Sequence, residues 1–376
     1  REEQGLPPLP LNAEQVQEIA NVFEQGKGSN DLLNLLENEV PPGVDEAAYV
    51  KAAFLKDIAT EKLSNDLISP KKAISMLGTM LGGYSVEALV EILKIGKFGS
   101  AAAEALKSTI LVYDAFNEIF DLSKNNENAK DIIHSWAEAE WFKNKPSLAN
   151  EIPLTVYKVS GETNTDDFSP AKEAWSRPDI PLHAQAFLKF SENMESPLEK
   201  LEELKQDGSK LVFVGDVVGT GSSRKSAANS MLWHMGQDIP CVPAKRTGGF
   251  CFGNKIAPIF FNTLQDSGAL PIELDVDNLD HGKKIILKPY DGQVLDADTL
   301  DVISTFEFKS DVIFDEVQAG GRINLIIGRQ LTDKTREKLD LPPSDVFRRY
   351  GDSETSQKGY TLAQKMVGKA LSLIHI

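Results

Sequence analysis

The chain has 376 residues, with 40 Lys and Arg against 56 Asp and Glu, a formal net charge of −16 and two cysteines. This length predicts two or three domains, because single hydrophobic cores rarely grow beyond about 250 residues. The acidity argues against nucleic acid or an anionic membrane as the default partner. Two cysteines cannot build a disulfide framework and fit a reducing, cytoplasmic setting.

Targeting segments are not evident in the sequence. No uninterrupted apolar run reaches the roughly 20 residues that span a bilayer, and the first residues, Arg1-Glu2-Glu3, lack a signal-peptide core. The chain does not begin with Met, so we expect it to start inside a longer reading frame. We therefore expect a cytoplasmic protein with no membrane partner.

Residues 1–152 have the pattern of a helical domain, with apolar residues at intervals of three and four. Asn12 and Ser69 are expected helix caps, with Pro70 at a first helical position. Short helices joined by short turns predict stacked antiparallel helix pairs, as in an α-solenoid. Because the sequence has no strict repeat, an ordinary helical bundle is the alternative. The predicted helices are 13–25, 31–39, 45–60, 70–81, 85–95, 101–123 and 129–142.

Residues 153–345 have the mixed pattern of an α/β or β-rich domain. A helix is predicted over 224–235, and Asp291-Gly292 is a hairpin-type turn. Residues 346–376 are predicted to be a linker or tail with one helix, 362–370. The predicted strands are 154–159, 211–215, 257–261, 272–276, 284–288, 304–308 and 323–327.

The most informative segment is the glycine-rich stretch Gly215-Asp-Val-Val-Gly-Thr-Gly-Ser-Ser-Arg-Lys-Ser226. A P-loop requires glycine directly before Lys-Ser, and Arg224 stands there instead. A dinucleotide fingerprint requires a third glycine, again at the position of Arg224. Both nucleotide-binding motifs are therefore excluded.

A strand, a Gly-x-Gly turn and a helix that opens with Ser-Ser-Arg predict an anion site. Backbone N–H groups and the helix dipole attract anions at a helix start, and glycines allow close approach. Arg224 can bind a carboxylate bidentately, while Ser222 and Ser223 supply hydroxyls. This combination favours a small polycarboxylate. The alternative is that Ser222 only caps the helix and Arg224 forms a surface ion pair.

Several motifs narrow this prediction to one family. Gly219-Thr-Gly-Ser-Ser-Arg224 resembles the serine–arginine signature of the swivel domain in the aconitase family. Residues 161–170, followed by 174–179, resemble the family's Thr-Thr-Asp-His-x-Ser segment and its substrate-binding arginine. Residues 40–50 and 320–323 and the helical first part are similar to the B-type branch, in which a HEAT-like helical domain precedes the swivel domain.

The resemblance implies a hydro-lyase of the tricarboxylic acid cycle that interconverts citrate and isocitrate through cis-aconitate. It implies that Ser222 is the catalytic base and also contacts substrate. It assigns substrate-carboxylate contacts to Ser223, Arg224 and Arg177. Asp166 matches an active-site acidic residue, with an Asx-type turn role as an equal alternative.

One position departs from the family pattern. Asp167 stands where many members carry His, so the role of that histidine is not transferred. No two of the chain's five histidines have metal-ligand spacing, and His234, on the predicted helix 224–235, is expected to pack rather than to bind a ligand. The five are His134, His183, His234, His281 and His375.

The family also implies a [4Fe–4S] cluster, held by three cysteines, with one iron open as a Lewis acid. Cys241 and Cys251 are too few and form no Cys-x-x-Cys pair, so the cluster ligands are absent from this chain. Both are expected to be small packed residues. We expect an inactive fragment whose residues 371–376, which do not continue the family pattern, are a truncation scar or artefactual extension.

Two alternatives remain open. The first is a related dehydratase that acts on isopropylmalate, homoaconitate or 2-methylisocitrate, although isopropylmalate dehydratase has a separate swivel subunit without a helical preface. The second is a regulatory module that binds protein or RNA, because apo-aconitases can bind mRNA. Residues 1–150 hold 14 Lys and Arg against 23 Asp and Glu, which favours protein contact or self-association over RNA. A stop codon after Ile376 would favour the binding module.

Overall fold

A computed structural model describes residues 1–206, 208–222 and 225–349, together with Leu362 and Met366. Ser223 and Arg224 lie outside the described residues, as does most of the predicted helix 362–370. Within the described part, no helix has both the length and the apolar character needed to cross a membrane.

The first part of the chain is helical, as predicted. Asn12 and Gln15 form a capping box, and Ser69 caps the helix predicted over 70–81, with Pro70 in its first turn. These contacts satisfy N–H groups that have no partner within the helix. The helices are α1 Ala13–Glu24, α2 Asn30–Asn38, α3 Glu46–Ala59, α4 Pro70–Gly78, α5 Tyr84–Ile95, α6 Gly99–Lys107, α7 Ala115–Leu122, α8 Glu127–Ala137 and α9 Glu140–Lys143.

Two helix predictions were too long. Residues 101–123 form α6 and α7 rather than one helix. The hydroxyls of Ser108 and Thr109 both donate to Ala105 O, and Tyr113 has a φ of 42°. Such side-chain bonds compete with the helical ladder, and a positive φ ends it. The predicted helix 129–142 is likewise interrupted at Ala139, whose φ is 53°.

The helical part encloses a continuous apolar core. Helix α1 packs on α3, α3 on α5, α4 on α6, and α6 on α8. Phe23, Leu55, Phe116 and Trp136 are fully buried in this core. The Trp136 indole N–H also donates to Leu106 O at 3.2 Å, so its one polar group is satisfied.

The second part is built on a seven-stranded sheet of order β6-β5-β2-β1-β7-β8-β9. The β6-β5-β2-β1 half is parallel, and β7, β8 and β9 extend it in antiparallel pairs. The predicted hairpin turn Asp291-Gly292 joins β7 to β8. The strands, including the separate β3–β4 hairpin, are β1 Ile152–Asn164, β2 Leu211–Thr220, β3 Gln237–Ile239, β4 Val242–Thr247, β5 Phe250–Ile256, β6 Leu270–Glu273, β7 Lys284–Lys288, β8 Gln293–Asp296 and β9 Val302–Thr305.

Both faces of this sheet are covered, because successive strand residues point to opposite sides. Tyr157 and Phe213 pack on one face with helix α13 (Lys225–Met235), whereas Val156 and Val214 pack on the other with Phe314 of helix α15 (Val312–Ala319). The helices of this part are α10 Thr165–Phe168, α11 Ile180–Ala184, α12 Pro197–Lys205, α13 Lys225–Met235, α14 Pro258–Asp266, α15 Val312–Ala319 and α16 Arg322–Lys338.

Two strand predictions were wrong. Residues 257–261 begin α14, with Pro258 at its first position, and residues 323–327 lie in α16. Short apolar runs do not distinguish a strand from a helix. In α16 the buried residues Leu325, Gly328 and Leu331 recur every three positions, which is helical spacing.

Strand β5 was not predicted, although it lies between β2 and β6 in the sheet. Its sequence contains Gly253, Asn254 and Lys255, which are uncommon in strands. The first half of β5 is nevertheless buried within the sheet. Tertiary burial therefore outweighs the weak local preference.

Helices α9 and α16 join the helical part to the sheet part. The Trp141 indole N–H donates to Thr332 Oγ1 at 3.0 Å, and its ring lies against Gly328. Phe347, in the predicted tail, is buried against Trp141. Lys145 Nζ adds a hydrogen bond to Ala319 O at 2.7 Å.

Candidate active site

Parallel pairing brings the two predicted site segments together. Strands β1 and β2 are neighbours in parallel register, and Asn164, the last residue of β1, pairs with Thr220, the last residue of β2. Both strands end at one edge of the sheet, which is where open α/β sheets bind ligands. The segment after Asn164 therefore lies beside the glycine-rich turn after Thr220.

Ser222 lies exposed in the turn between β2 and α13. Gly219 and Gly221 have φ values of 77° and 86°, and a Cβ on Gly219 would meet the Phe260 ring at 2.2 Å. Both the positive φ and the close approach of the Phe260 ring require glycine at position 219. Thr165 Oγ1 donates to Ser222 O at 2.6 Å, which fixes the backbone of Ser222 to the neighbouring segment.

Arg177 is half-buried directly after the 3-10 helix Ala171–Ser176. Its Nε donates to Ser169 Oγ at 3.2 Å and its Nη2 to Ser169 O at 3.4 Å. Ser169 Oγ in turn lies 2.7 Å from Ser226 Oγ, in the first turn of α13. Arg177 is thus connected by two hydrogen bonds to the helix that follows Ser222.

Asp166 is exposed, and one of its carboxylate oxygens accepts a hydrogen bond from Ala171 N at 3.0 Å. The Asx-type role belongs to Asn164, whose side chain accepts from the backbone N–H groups of Asp166 and Asp167. The Asp167 carboxylate completes this capping box at Asn164 N, and burial raises the pKa of Asp167. Asp166 therefore has a turn-stabilising contact, and its role in catalysis stays a prediction.

A buried histidine for which the sequence predicted no role, His183, lies behind Arg177. His183 Nε2 is 2.8 Å from Ser169 Oγ, and its Nδ1 is 2.8 Å from Ser176 Oγ. Burial, and to a lesser extent the charge of Arg177, lower the pKa of His183. Ser169, Ser176 and His183 stand seven residues apart, but no single helix runs through all three, so only the folded chain brings them together.

The two cysteines do not fit an iron–sulfur cluster. Cys251 is fully buried in β5, where burial raises the pKa of its thiol, and Cys241 lies half-buried between β3 and β4. A cluster site requires three thiolates. Across the described ranges, no group of three or more His, Cys, Asp or Glu side chains is arranged to hold a metal ion.

Comparisons with known proteins agree with the motifs. The family model for the aconitate hydratase 2 N-terminus matches residues 154–360, and that for the aconitate B N-terminal domain matches residues 1–142. A 3-isopropylmalate dehydratase structure from Methanocaldococcus jannaschii covers 50% of this chain and 99% of its own, at 16% identity and a TM-score of 0.37. That similarity is too low to support a conclusion.

Curated relatives match nearly the whole chain. Aconitate hydratase B is 54% identical in Escherichia coli K12, 52% in Pseudomonas aeruginosa and 49% in Helicobacter pylori J99, over 98%, 99% and 98% of this chain. The chain spans only 44%, 44% and 43% of those relatives' lengths. Since the model for the aconitate hydratase 2 N-terminus covers more than half of the chain, the chain belongs to that family, and its first 142 residues match the aconitate B N-terminal domain.

Proposed function

We propose that this chain supplies the catalytic base and part of the tricarboxylate site of an aconitate hydratase. The complete protein would interconvert citrate and isocitrate through cis-aconitate, in the cytoplasm. The observation that carries the proposal is the connection of Arg177, through Ser169 and Ser226, to the helix that follows Ser222. It joins an arginine and an exposed serine at one sheet edge.

Ser222 is proposed to remove and return the proton on the carbon beside a substrate carboxylate. A serine hydroxyl is a weak base at neutral pH unless nearby positive charge and hydrogen-bond donors stabilise its anion. We propose that Arg224 and the N-terminus of the 11-residue helix α13 supply such an environment, while Arg177 binds a substrate carboxylate. Ser223 and Arg224 are proposed to bind substrate carboxylates, with Asp166 as active-site support.

The cluster that the family implies would supply a Lewis acid for the substrate hydroxyl. Because the cysteines of this chain do not fit it, its ligands must lie elsewhere in the complete protein. What this chain contributes is therefore substrate binding and proton transfer. We propose that the chain alone has no aconitase activity.

We also propose that residues 1–152 are a HEAT-like α-solenoid, residues 153–345 a swivel domain, and residues 346–376 a linker. The packing of α1 on α3, α3 on α5, and α4 on α6 supports the first assignment, since solenoids stack each helix on an equivalent one. The acidic helical part is proposed to contact protein or to self-associate rather than to bind mRNA.

The test uses the complete protein that contains this chain, with its cluster reconstituted. We expect turnover of citrate in preference to 2-methylisocitrate and isopropylmalate. Ser222→Ala should lower kcat about 10²–10⁴-fold, the usual contribution of a general base. Ser230→Ala is the matched control, because Ser230 lies buried on α13 and its Oγ has no hydrogen-bond partner among the described residues.

Two results would contradict this proposal. One is a Ser222→Ala protein with kcat close to that of the unaltered protein. The other is citrate turnover by the 376-residue chain alone after the same reconstitution. Preference for isopropylmalate or 2-methylisocitrate would instead assign the chain to a related dehydratase.

A further inference from the structure

We propose that His183 is a positioning residue for substrate binding, which acts as a neutral imidazole with its proton on Nδ1. In this role it holds the hydroxyl of Ser169, and Ser169 in turn fixes Arg177 against the first turn of α13. The inference rests on the proposed function and adds a residue that contacts neither substrate nor cofactor.

The imidazole of His183 is enclosed and hydrogen-bonded at both of its nitrogens. His183 is 1% exposed, and Ser169 and Ser176 are 0% and 4% exposed. Both ring nitrogens lie 2.8 Å from a serine oxygen. A buried imidazole held at both nitrogens keeps one orientation, and its protonation state decides which serine donates to it.

The direction of each hydrogen bond follows from one carbonyl group. Ser176 Oγ donates to Glu173 O at 2.8 Å, and a carbonyl oxygen can only accept. The Ser176 hydrogen is therefore committed, so its oxygen accepts from His183 Nδ1–H. The other nitrogen, Nε2, then carries a lone pair in the neutral ring and accepts from the hydroxyl of Ser169.

Burial and nearby charge favour the neutral ring. A second proton would place a cation in a buried site beside the guanidinium of Arg177, and both effects lower the pKa of His183. The backbone and the charge of Glu173 act in the opposite direction but are smaller causes. The geometry and the electrostatics thus agree on the same tautomer.

The orientation of the Ser169 hydroxyl in turn fixes the guanidinium of Arg177. Once the Ser169 hydrogen points at His183, the Ser169 oxygen faces two donors, Arg177 Nε at 3.2 Å and the Ser226 hydroxyl at 2.7 Å. Arg177 Nη2 also donates to Ser169 O. One edge of the guanidinium is fixed in this way, which leaves its outer Nη1 and Nη2 edge for a substrate carboxylate.

The test is a set of kinetic constants measured on the complete protein. His183→Ala should raise the KM for citrate about tenfold, the effect of about 1.4 kcal/mol, and change kcat less than about threefold. Ser169→Ala should act in the same direction. His183→Gln, whose amide oxygen can still accept from Ser169, should restore part of the affinity.

A double-mutant cycle separates positioning from general structural damage. In an Arg177→Ala background, His183→Ala should raise KM no further, because its effect passes through Arg177. Ser230→Ala, which removes a buried hydroxyl of α13 that has no partner among the described residues, should leave KM unchanged. Additive effects of the Arg177 and His183 substitutions, or an unaltered KM in a folded His183→Ala protein, would overturn the proposal.

A second measurement does not depend on any substitution. Nitrogen-15 NMR of the 376-residue chain at pH 7 should show His183 with a protonated Nδ1 and an unprotonated Nε2. The opposite tautomer, or an imidazolium, would overturn the proposal. No citrate turnover by the unaltered complete protein would instead overturn the proposed function and the substrate role of His183, while the NMR result would still decide the hydrogen-bond network.

Discussion

Replacing Gly328 with alanine tests the contact between the helical part and the sheet part. An alanine Cβ at this position would lie 2.3 Å from two atoms of the Trp141 ring and 2.6 Å from a third. The ring cannot turn away easily, because it stacks on Phe347 and its N–H is bonded to Thr332. Either the indole or helix α16 must move to accept the methyl group.

The size of the effect follows from two opposing contributions. Overpacking a well-filled core costs about 1–3 kcal/mol, and replacing glycine with alanine inside a helix returns about 1 kcal/mol. Because three ring atoms are closer than van der Waals contact, we expect the upper part of the range and a net loss of about 2 kcal/mol. For a domain of about 200 residues, the size of the sheet part, this loss of stability lowers the melting temperature by roughly 4–8 °C.

The assay is thermal unfolding of the 376-residue chain, followed by circular dichroism. Gln330→Ala, at an exposed position of the same helix, is the control and should leave the melting temperature nearly unchanged. Trp141→Phe removes the ring atoms that clash, so Gly328→Ala should cost less in that background. A rise in melting temperature on Gly328→Ala, or a loss that Trp141→Phe does not reduce, would refute the reasoning.

Three further predictions concern stability and partners. Burial lowers the pKa of His234 to about 4, so stability should fall as the pH drops from about 6.5 towards 4, where only the unfolded chain gains this proton. Between pH 7.5 and 5.0 the unaltered chain should lose about 2 kcal/mol more than His234→Gln in urea unfolding; an equal loss would contradict this. Asp315 is buried and accepts from the backbone N–H and the guanidinium of Arg348, which is partly exposed. Asp315→Asn should therefore cost about 2 kcal/mol in the same assay, and no change in midpoint would count against it. The whole chain should not shift RNA in a gel at about 0.15 M salt, because its net charge of −16 repels phosphates, and a tight, specific shift would favour the RNA-binding alternative.

Local signals were enough to predict most of the helices of the first part. Asn12 and Ser69 cap their helices as expected, because capping depends on residues within one turn of each other. The glycine-rich turn was also predictable, since the positive φ values of Gly219 and Gly221 are a local requirement. Where the chemistry is contained in a few consecutive residues, the sequence predicts it well.

Features that depend on distant contacts were predicted poorly. The segments 257–261 and 323–327 are short apolar runs, which are compatible with a strand or with a buried helix. Their packing in the folded chain makes them helical. Strand β5 combines weak strand residues with burial inside the sheet. The hydrogen bonds of His183 reach serines 7 and 14 positions earlier in the chain, but no single helix runs through the three residues, so this spacing predicts no contact between them. No local rule connects such residues.

The overall acidity of the chain does not oppose an anionic substrate. At physiological salt the Debye length is about 8 Å, so exposed carboxylates elsewhere on the surface are largely screened from the site. What a tricarboxylate would meet is set locally, by the N-terminus of α13 and by Arg177. The guanidinium of Arg177 is already fixed on one edge by Ser169, so less side-chain entropy is lost when a carboxylate binds the other. A non-specific polyanion would need an extended basic surface to bind. A single oriented arginine on an acidic protein does not provide one. Net charge therefore disfavours large polyanionic partners. The geometry around Arg177 and Ser222 determines which small anion we expect to bind.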